Sequence, residues 1–352
     1  MKLLVAIGGV TLAIVLILVV QSLYYGVQKE MDSFVHALPG DVWIVQEGTT
    51  DLVFSNSHLP ENDARRIHNV DGVGALYSLN GRLMAFKSDN GEVRTYVMAL
   101  DFLGGGTPEG TDVVPDRDEI FLDKTFAKQA GLSEGDDLSF GDRSFKVADI
   151  RGIGNVLVTQ FAFVNPIDFA AIFGTPGSVN YYLASLDDSA SPEAARTKLE
   201  EEVTGSSVFF TNDFADRAAT KSTGDFLPII RVIMAIAFIV GLAVLSLIIY
   251  SATIERAREY AIMKVIGASP IGLYRIVLSQ SIFIAVIGFM GGVGLAFVFN
   301  RVAGDIVPQF ITHIRARDIA FVFGVTVFMS FIASYLPINR VARVEPASVF
   351  RA

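Results

Sequence analysis

Residues 251–270 read Ser-Ala-Thr-Ile-Glu-Arg-Ala-Arg-Glu-Tyr-Ala-Ile-Met-Lys-Val-Ile-Gly-Ala-Ser-Pro, a charged segment between two long apolar runs. Ile254, Ala257, Ala261, Ile262, Val265 and Ile266 recur at three- and four-residue steps, and Glu255, Arg256, Arg258, Glu259 and Lys264 fill most of the other positions. That spacing predicts an amphipathic helix over about 253–267 with one apolar face. Gly267 is placed to supply the left-handed residue that closes it, and Ser269-Pro270 reads as the N-cap and first position of the next helix. The expectation is a short helix packed against a membrane that hands directly into a second span.

The flanking runs support that setting. Residues 229–250 and 275–299 are apolar over lengths that match the ~20 residues needed to cross a bilayer. The one ionisable residue in the first of them, Arg231, lies near its start, where a long stem snorkels to the interface. In the second, Gly288, Gly292 and Ala296 recur every four residues and mark a face on which helices approach closely in lipid. Whether that face meets another span of this chain or another subunit is open at this stage. A further span over 319–336 stops at Pro337 and leaves a tail, 338–352, carrying Arg340, Arg343 and Arg351. At the other end, residues 3–20 are uncharged and almost wholly apolar, so 1–25 reads as a first span with Tyr24 and Tyr25 at interface level. A cleaved signal peptide is the rival, but its apolar core runs only about 7–15 residues and ends in an Ala-x-Ala-like site, which is missing here.

Composition agrees with a mixed membrane protein: hydrophobic residues make up 51% of the 352, and the mean hydropathy is +0.47. The absence of cysteine excludes disulfides and thiolate sites. The net charge of −9 hides an asymmetry, because residues 26–225 hold 32 Asp and Glu against 16 Lys and Arg, or −16, leaving +7 elsewhere. Lys2, the short connection with Arg256, Arg258, Lys264 and Arg275, and the arginine-bearing tail all belong in the cytoplasm by the positive-inside rule, which puts 26–225 outside. Arg301, Arg315 and Arg317 argue against this, since four spans force the 300–318 connection outside too.

Residues 26–225 read as a folded α+β domain. Strand patterns occur at 41–47, 72–87, 95–100, 156–165, 179–185 and 206–210, and helical ones at 60–69, 166–173 and 192–203. Between them, 118–150 forms a compact β-rich insert: strand 119–122, helix 123–130, a Gly131 to Asp136 turn, and a hairpin of 138–140 with 144–150. The architecture expected is two strand-helix-strand units around that insert.

Catalytic chemistry finds no support. There is no Gly-x-x-x-x-Gly-Lys-Ser/Thr loop, so the usual phosphate cradle for ATP is absent, and Gly104-Gly105-Gly106 lacks the helix that would make it one. His36, His58, His68 and His313 show no metal-ligand spacing. No Gly-x-Ser-x-Gly elbow supports a nucleophile, and an acidic external domain repels nucleic acid.

Glu255-Arg256-x-Arg258-Glu259-Tyr260-Ala261-Ile262-Met263-Lys264-x-Ile266-Gly267-Ala268 resembles the signature segment of the MacB/FtsX/LolC-type ABC transporter permeases. One N-terminal span, an external domain of about two hundred residues, three C-terminal spans and an ending from Pro337 to Arg351 are similar as well. So is the turn Gly131-Leu132-x-x-Gly135-Asp136, while Gly40-Asp41-Val42-Trp43-Ile44 is closer to the DevC-like branch. Two departures stand out: the chain begins almost at the first span, without the family's preceding amphipathic segment, and Tyr260 stands where an aliphatic residue is commoner.

The resemblance implies a four-span membrane protein with a MacB-like periplasmic core domain at 26–225 and an FtsX-like permease domain at 226–352, in a bacterial inner (cytoplasmic) membrane. It implies a non-catalytic subunit with no cofactor of its own, ATP and Mg being bound by a partner ABC ATPase. Glu255, Arg256, Arg258, Glu259 and Lys264, closed by Gly267, would face that ATPase, and Ile254, Ala261, Ile262 and Ile266 would pack on the permease. A second permease copy or paralogue completes a dimer, with a membrane-fusion or other extracytoplasmic protein as a further partner. Two functions stay open: export or extraction of a substrate by ATP-driven movement of the external domain, or an FtsX-like regulator of an extracytoplasmic hydrolase that transports nothing. An enzyme anchored in the membrane is disfavoured by the missing constellation.

Overall fold

A computed structural model describes residues 2–49, 52, 57–88, 91–105, 112, 114–140, 143–156, 159–174, 177–187, 191–224, 226–307 and 310–342. The chain divides into two compact units, one of 1–26, 226–306 and 312–352, the other of 27–225 with 307–311. The first helix, α1 (Lys2–Ala37), contributes to both.

The second unit is built on a ten-stranded sheet. Its elements are β1 (Val42–Gln46), β2 (Leu59–Pro60), α2 (Asp63–His68), β3 (Val73–Ser88), β4 (Gly91–Gly104), β5 (Glu119–Asp123), α3 (Lys124–Ala130), β6 (Asp137–Phe140) and β7 (Arg143–Arg151). There follow β8 (Asn155–Val156), β9 (Thr159–Val164), α4 (Pro166–Phe173), β10 (Ser178–Val179), β11 (Tyr181–Leu186), α5 (Pro192–Glu202), β12 (Ser206–Phe210) and α6 (Thr211–Gly224). The strand order is β12-β1-β11-β3-β4-β9-β5-β7-β6, with β8 on β9 and a separate β2–β10 pair. Neighbours are antiparallel except β4–β9 and β5–β7. The β-rich insert expected at 118–150 is therefore not a sheet of its own. Parallel pairing of Arg94 to Met98 with Thr159 to Phe163 carries the hydrogen-bond ladder straight from one lobe into the other, and the strands read separately at 72–87 and 95–100 form one long hairpin.

Both faces of this sheet are covered, which is why its strands read as apolar runs. Alternate residues enter opposite cores: Trp43 and Val45 against Val42 and Ile44, Phe161 and Phe163 against Ala162 and Val164, Tyr181 and Leu183 against Tyr182 and Ala184. On one face Met31 and Phe34 of α1 and Phe214 and Ala218 of α6 close the core, with Trp43 stacked on Phe214 at 4.5 Å between centroids. On the other, α2 and α5 cover one end (Ile67, Leu199) and α3 and α4 the other (Phe126, Phe169). Local signals set these helices: Asp123 caps α3 by accepting from Thr125 N at 2.7 Å, Gly131 ends it at φ 69°, and Asn165-Pro166 opens α4.

Asp168 ties the α3–α4 lobe together. Its fully buried carboxylate accepts from Arg117 Nε at 3.0 Å and Asp118 N at 2.8 Å, and pairs with Arg143 Nη1 at 3.1 Å. Asp118 itself holds a left-handed φ of 60°, a conformation that Asp tolerates better than most residues. Trp43 is the chain's one tryptophan and lies in this unit, so its fluorescence follows the unfolding of this unit alone. Loss of one charge-assisted hydrogen bond set costs about 2–3 kcal/mol. Asp168→Ala should therefore lower the Trp43-reported melting midpoint by about 5–10 °C, and an unchanged midpoint would contradict this account.

The first unit contains residues 2–26 of α1 with α7 (Leu227–Glu255), α8 (Ala257–Val265), α9 (Pro270–Ile306) and α10 (Ala316–Ala342). Among the described residues four helices, α1, α7, α9 and α10, are long and apolar enough to cross a membrane. The fourth does not stop at Pro337: α10 passes through it to Ala342. Pro337 brings no N–H to the carbonyl of Ala333 and crowds it with its ring, a cost of about 3 kcal/mol that falls within the last two turns of the helix. The tail's Arg343 and Arg351 lie outside the described residues.

Small residues set how closely the spans approach. A Cβ added at Gly288 would lie 2.8 Å from Val10 Cγ1, and one at Gly292 would lie 2.6 Å from Ile14 Cγ2. Ala296 continues the same face fully buried, and Thr11 Oγ1 donates across the contact to Gly288 O at 3.1 Å. The Gly288-Gly292-Ala296 face thus meets α1 of the same chain. Buried hydroxyls add a second seam: Thr326, Ser330 and Ser334 bond back along α10, and Ser281 of α9 donates to Ser330 O at 3.2 Å. Because the chain has no cysteine, a Thr11→Cys, Gly291→Cys pair should cross-link α1 to α9 under mild oxidation. Adding Gly292→Leu should abolish the product, and an undiminished yield would show that the glycine face does not set the approach.

Candidate functional site

Residues 251–270 fold in three pieces. Residues 251–255 are the last turns of α7; Arg256, at φ −99° and ψ 15°, breaks the helix; α8 then runs only from Ala257 to Val265. Its closure is a full Schellman arrangement, with Gly267 at φ 102°, Gly267 N donating to Lys264 O at 3.2 Å and Ala268 N to Met263 O at 2.9 Å. Ser269 Oγ then accepts from Gly272 N at 3.1 Å, and Pro270 starts α9. A single helix over 253–267 is thus corrected to the end of one span, a break and a nine-residue helix.

Burial corrects the expected apolar face as well. Of the residues expected to pack on the permease, only Ala261 does so, at 6% exposure, while Ile254, Ile262 and Ile266 are 48%, 41% and 80% exposed and Val265 is 59% exposed. The anchor is Tyr260, at 3% exposure, in one cluster with Leu273 and Val277 of α9. Burial raises its phenol pKa above the ordinary value. Nothing in the 3.6-residue pattern distinguishes Tyr260, since a tyrosine among charges reads as polar; its ring is what fills the space beside the bundle. Glu255, Arg256, Arg258, Glu259 and Gly267 are exposed, and Lys264 is partly so. Charges and isoleucines therefore share one outward surface.

A second polar constellation sits where the sequence reading saw only loop arginines. Asp318, in the first turn of α10, is 3% exposed and accepts from Arg315 Nη2 at 2.8 Å, Arg315 Nε at 3.0 Å and Gln21 Nε2 at 3.1 Å. The Arg315 guanidinium also lies over the Tyr25 ring, 3.1 Å from its centroid. Ser22 O accepts from His313 N at 2.9 Å. Gln21, Ser22 and Tyr25 of α1 thus tie it to the connection between α9 and α10. The charge of Arg315, which argued against the orientation, is neutralised by Asp318.

Residues 3–202 match the MacB-like periplasmic core domain family, and residues 231–346 match the FtsX-like permease C-terminal family. The macrolide export ATP-binding/permease protein MacB of Psychrobacter cryohalolentis is 26% identical over 180 residues, which are 48% of this chain and 26% of that protein. The chain therefore spans about a quarter of the length of that relative. An uncharacterised ABC transporter permease of Mycobacterium tuberculosis is 23% identical over 340 residues, covering 95% of this chain and 90% of the relative. The crystal structure of the periplasmic region of MacB from Actinobacillus actinomycetemcomitans aligns at 12% identity with a TM-score of 0.35, over 51% of this chain and 92% of that one. With four spans and both family domains in order along it, the chain belongs to the FtsX-like, MacB-type ABC transporter permeases and is a multi-pass membrane protein.

Proposed function

We propose that this permease is a non-catalytic subunit, in a bacterial cytoplasmic membrane, through which a separate cytoplasmic ATPase drives movement of the 27–225 unit for export or extraction of a substrate. The observation that carries the reading is the make-up of α8. Its packing on the bundle uses Tyr260 and Ala261, and what remains outward is an island of Ile262, Val265 and Ile266 beside Arg256, Arg258 and Glu259. Apolar anchors ringed by charge are what a protein partner's groove recognises, the anchors supplying affinity and the charges register. Lipid alone has no use for Glu259, whose carboxylate an anionic headgroup repels. One such helix per subunit implies two permeases for two ATPases.

Energy enters at α8 in this reading, and α7 and α9, joined to its two ends through Arg256 and the Gly267–Ser269 turn, carry it into the spans. The relative named for macrolide export is consistent with a small exported compound. Glu259→Lys, measured in membranes with the ATPase that co-purifies, should cut stimulation of ATP hydrolysis by about tenfold or more through like-charge contact in the groove, with the Trp43 melt unchanged. Tyr260→Phe, which keeps the ring, should leave stimulation intact. Normal stimulation in Glu259→Lys would sink the docking assignment.

A further inference from the structure

The face of the large sheet that carries four helices is not covered evenly. Its two cores, under α2 and α5 and under α3 and α4, are separate clusters, and between them a cleft of about 560 Å³ reaches the sheet at β3 and β4. That volume lies in the ordinary range for small-molecule sites. Ser78 and Asp101, directly opposite each other in the β3–β4 register, and Asn80 form the polar part of its floor. Phe169 and Ala170 of α4, with Leu103 of β4, supply an apolar wall.

Charge selects the ligand class. Glu61, just before α2, and Arg65, within it, bring opposite signs to the rim. Asp101 is left as the unbalanced charge on the floor: it is open to solvent on one side, among the described residues no cation pairs with it, and partial burial pushes its carboxyl above the usual range. A cationic group placed there would find its counter-charge and the Ser78 hydroxyl oxygen together, in a domain whose overall charge of −16 draws cations in.

We propose that this cleft is a binding site for a small amphiphilic cation, an organic ammonium whose charge sits at Asp101 and whose apolar body lies along Phe169 and Leu103. The site belongs to the domain itself and does not depend on ATPase coupling through α8.

The test uses the full chain in lipid nanodiscs and three probes of one shape: 1-naphthylmethylamine, 1-naphthylmethanol and 1-naphthoate, with binding read by equilibrium dialysis against empty nanodiscs. The amine should bind saturably and about threefold to fivefold more tightly than the alcohol, the worth of one partly screened ion pair, and the naphthoate should not bind. Asp101→Asn should erase the preference for the amine while leaving the Trp43 melt in place. Ala170→Leu, which fills the wall without touching the charge, should weaken amine and alcohol alike. Equal binding of amine and alcohol by the unmodified protein, binding of none of the three, or an amine preference that survives Asp101→Asn would each overturn the proposal.

Discussion

Two helices in lipid gain little by burying leucine against leucine, because the acyl chains they displace are equally apolar; what holds them is fit. In this permease the fit is made by missing side chains. At Gly288 and Gly292 there is no room for a Cβ against Val10 and Ile14, and at that distance Thr11 reaches the Gly288 carbonyl. The first span is thereby fixed against the third, although more than two hundred residues separate them in sequence. The rest of the bundle follows from that contact, since Ile14 and Ile17 of α1 share a core with Leu245 of α7 and Met329 of α10.

Polar groups then finish what shape begins. Hydroxyls of Thr326, Ser330, Ser334 and Ser281 bond to carbonyls within the bundle, so these four are satisfied without water. Midway along α1, Asp318 is buried with Arg315 and Gln21 around it. A buried carboxylate is tolerable only when its partners replace the water it gave up. Arg315 does this with its guanidinium plane on Tyr25, so one cation serves both a carboxylate and a ring.

Much of this was legible in the chain because it rests on local rules. Spans announce themselves by length and apolarity, the Gly288-Gly292-Ala296 spacing marks a close-packing face, and Ser269-Pro270 and Gly267 signal helix ends whatever surrounds them. What escaped the reading depended on partners distant in sequence. No pattern along β4 and β9 reveals that they pair in parallel and merge the insert into one sheet. A search confined to ionisable groups inside spans passes over Thr11 and the serines of α10, and Asp318 looks like a loop residue until Gln21 and Arg315 are seen on it. The apolar period of 254–266 correctly predicted helix but mistook which side is buried. With the break at Arg256, α8 is set apart from α7, and the side it buries carries Tyr260 and Ala261 in place of the isoleucines.

That substitution of one anchor for a whole face has a consequence for how such a protein changes over generations. Folding constrains Tyr260, Ala261 and the closing Gly267, whereas Arg256, Arg258, Glu259, Ile262 and Ile266 touch little of their own chain. Mutations at the latter positions are nearly free of stability cost, so, on the proposed docking role of α8, a duplicated gene could drift toward a different ATPase without first losing its fold. Fidelity between co-resident paralogues would then be written in a few side chains of one short helix, while the architecture behind it stays the same.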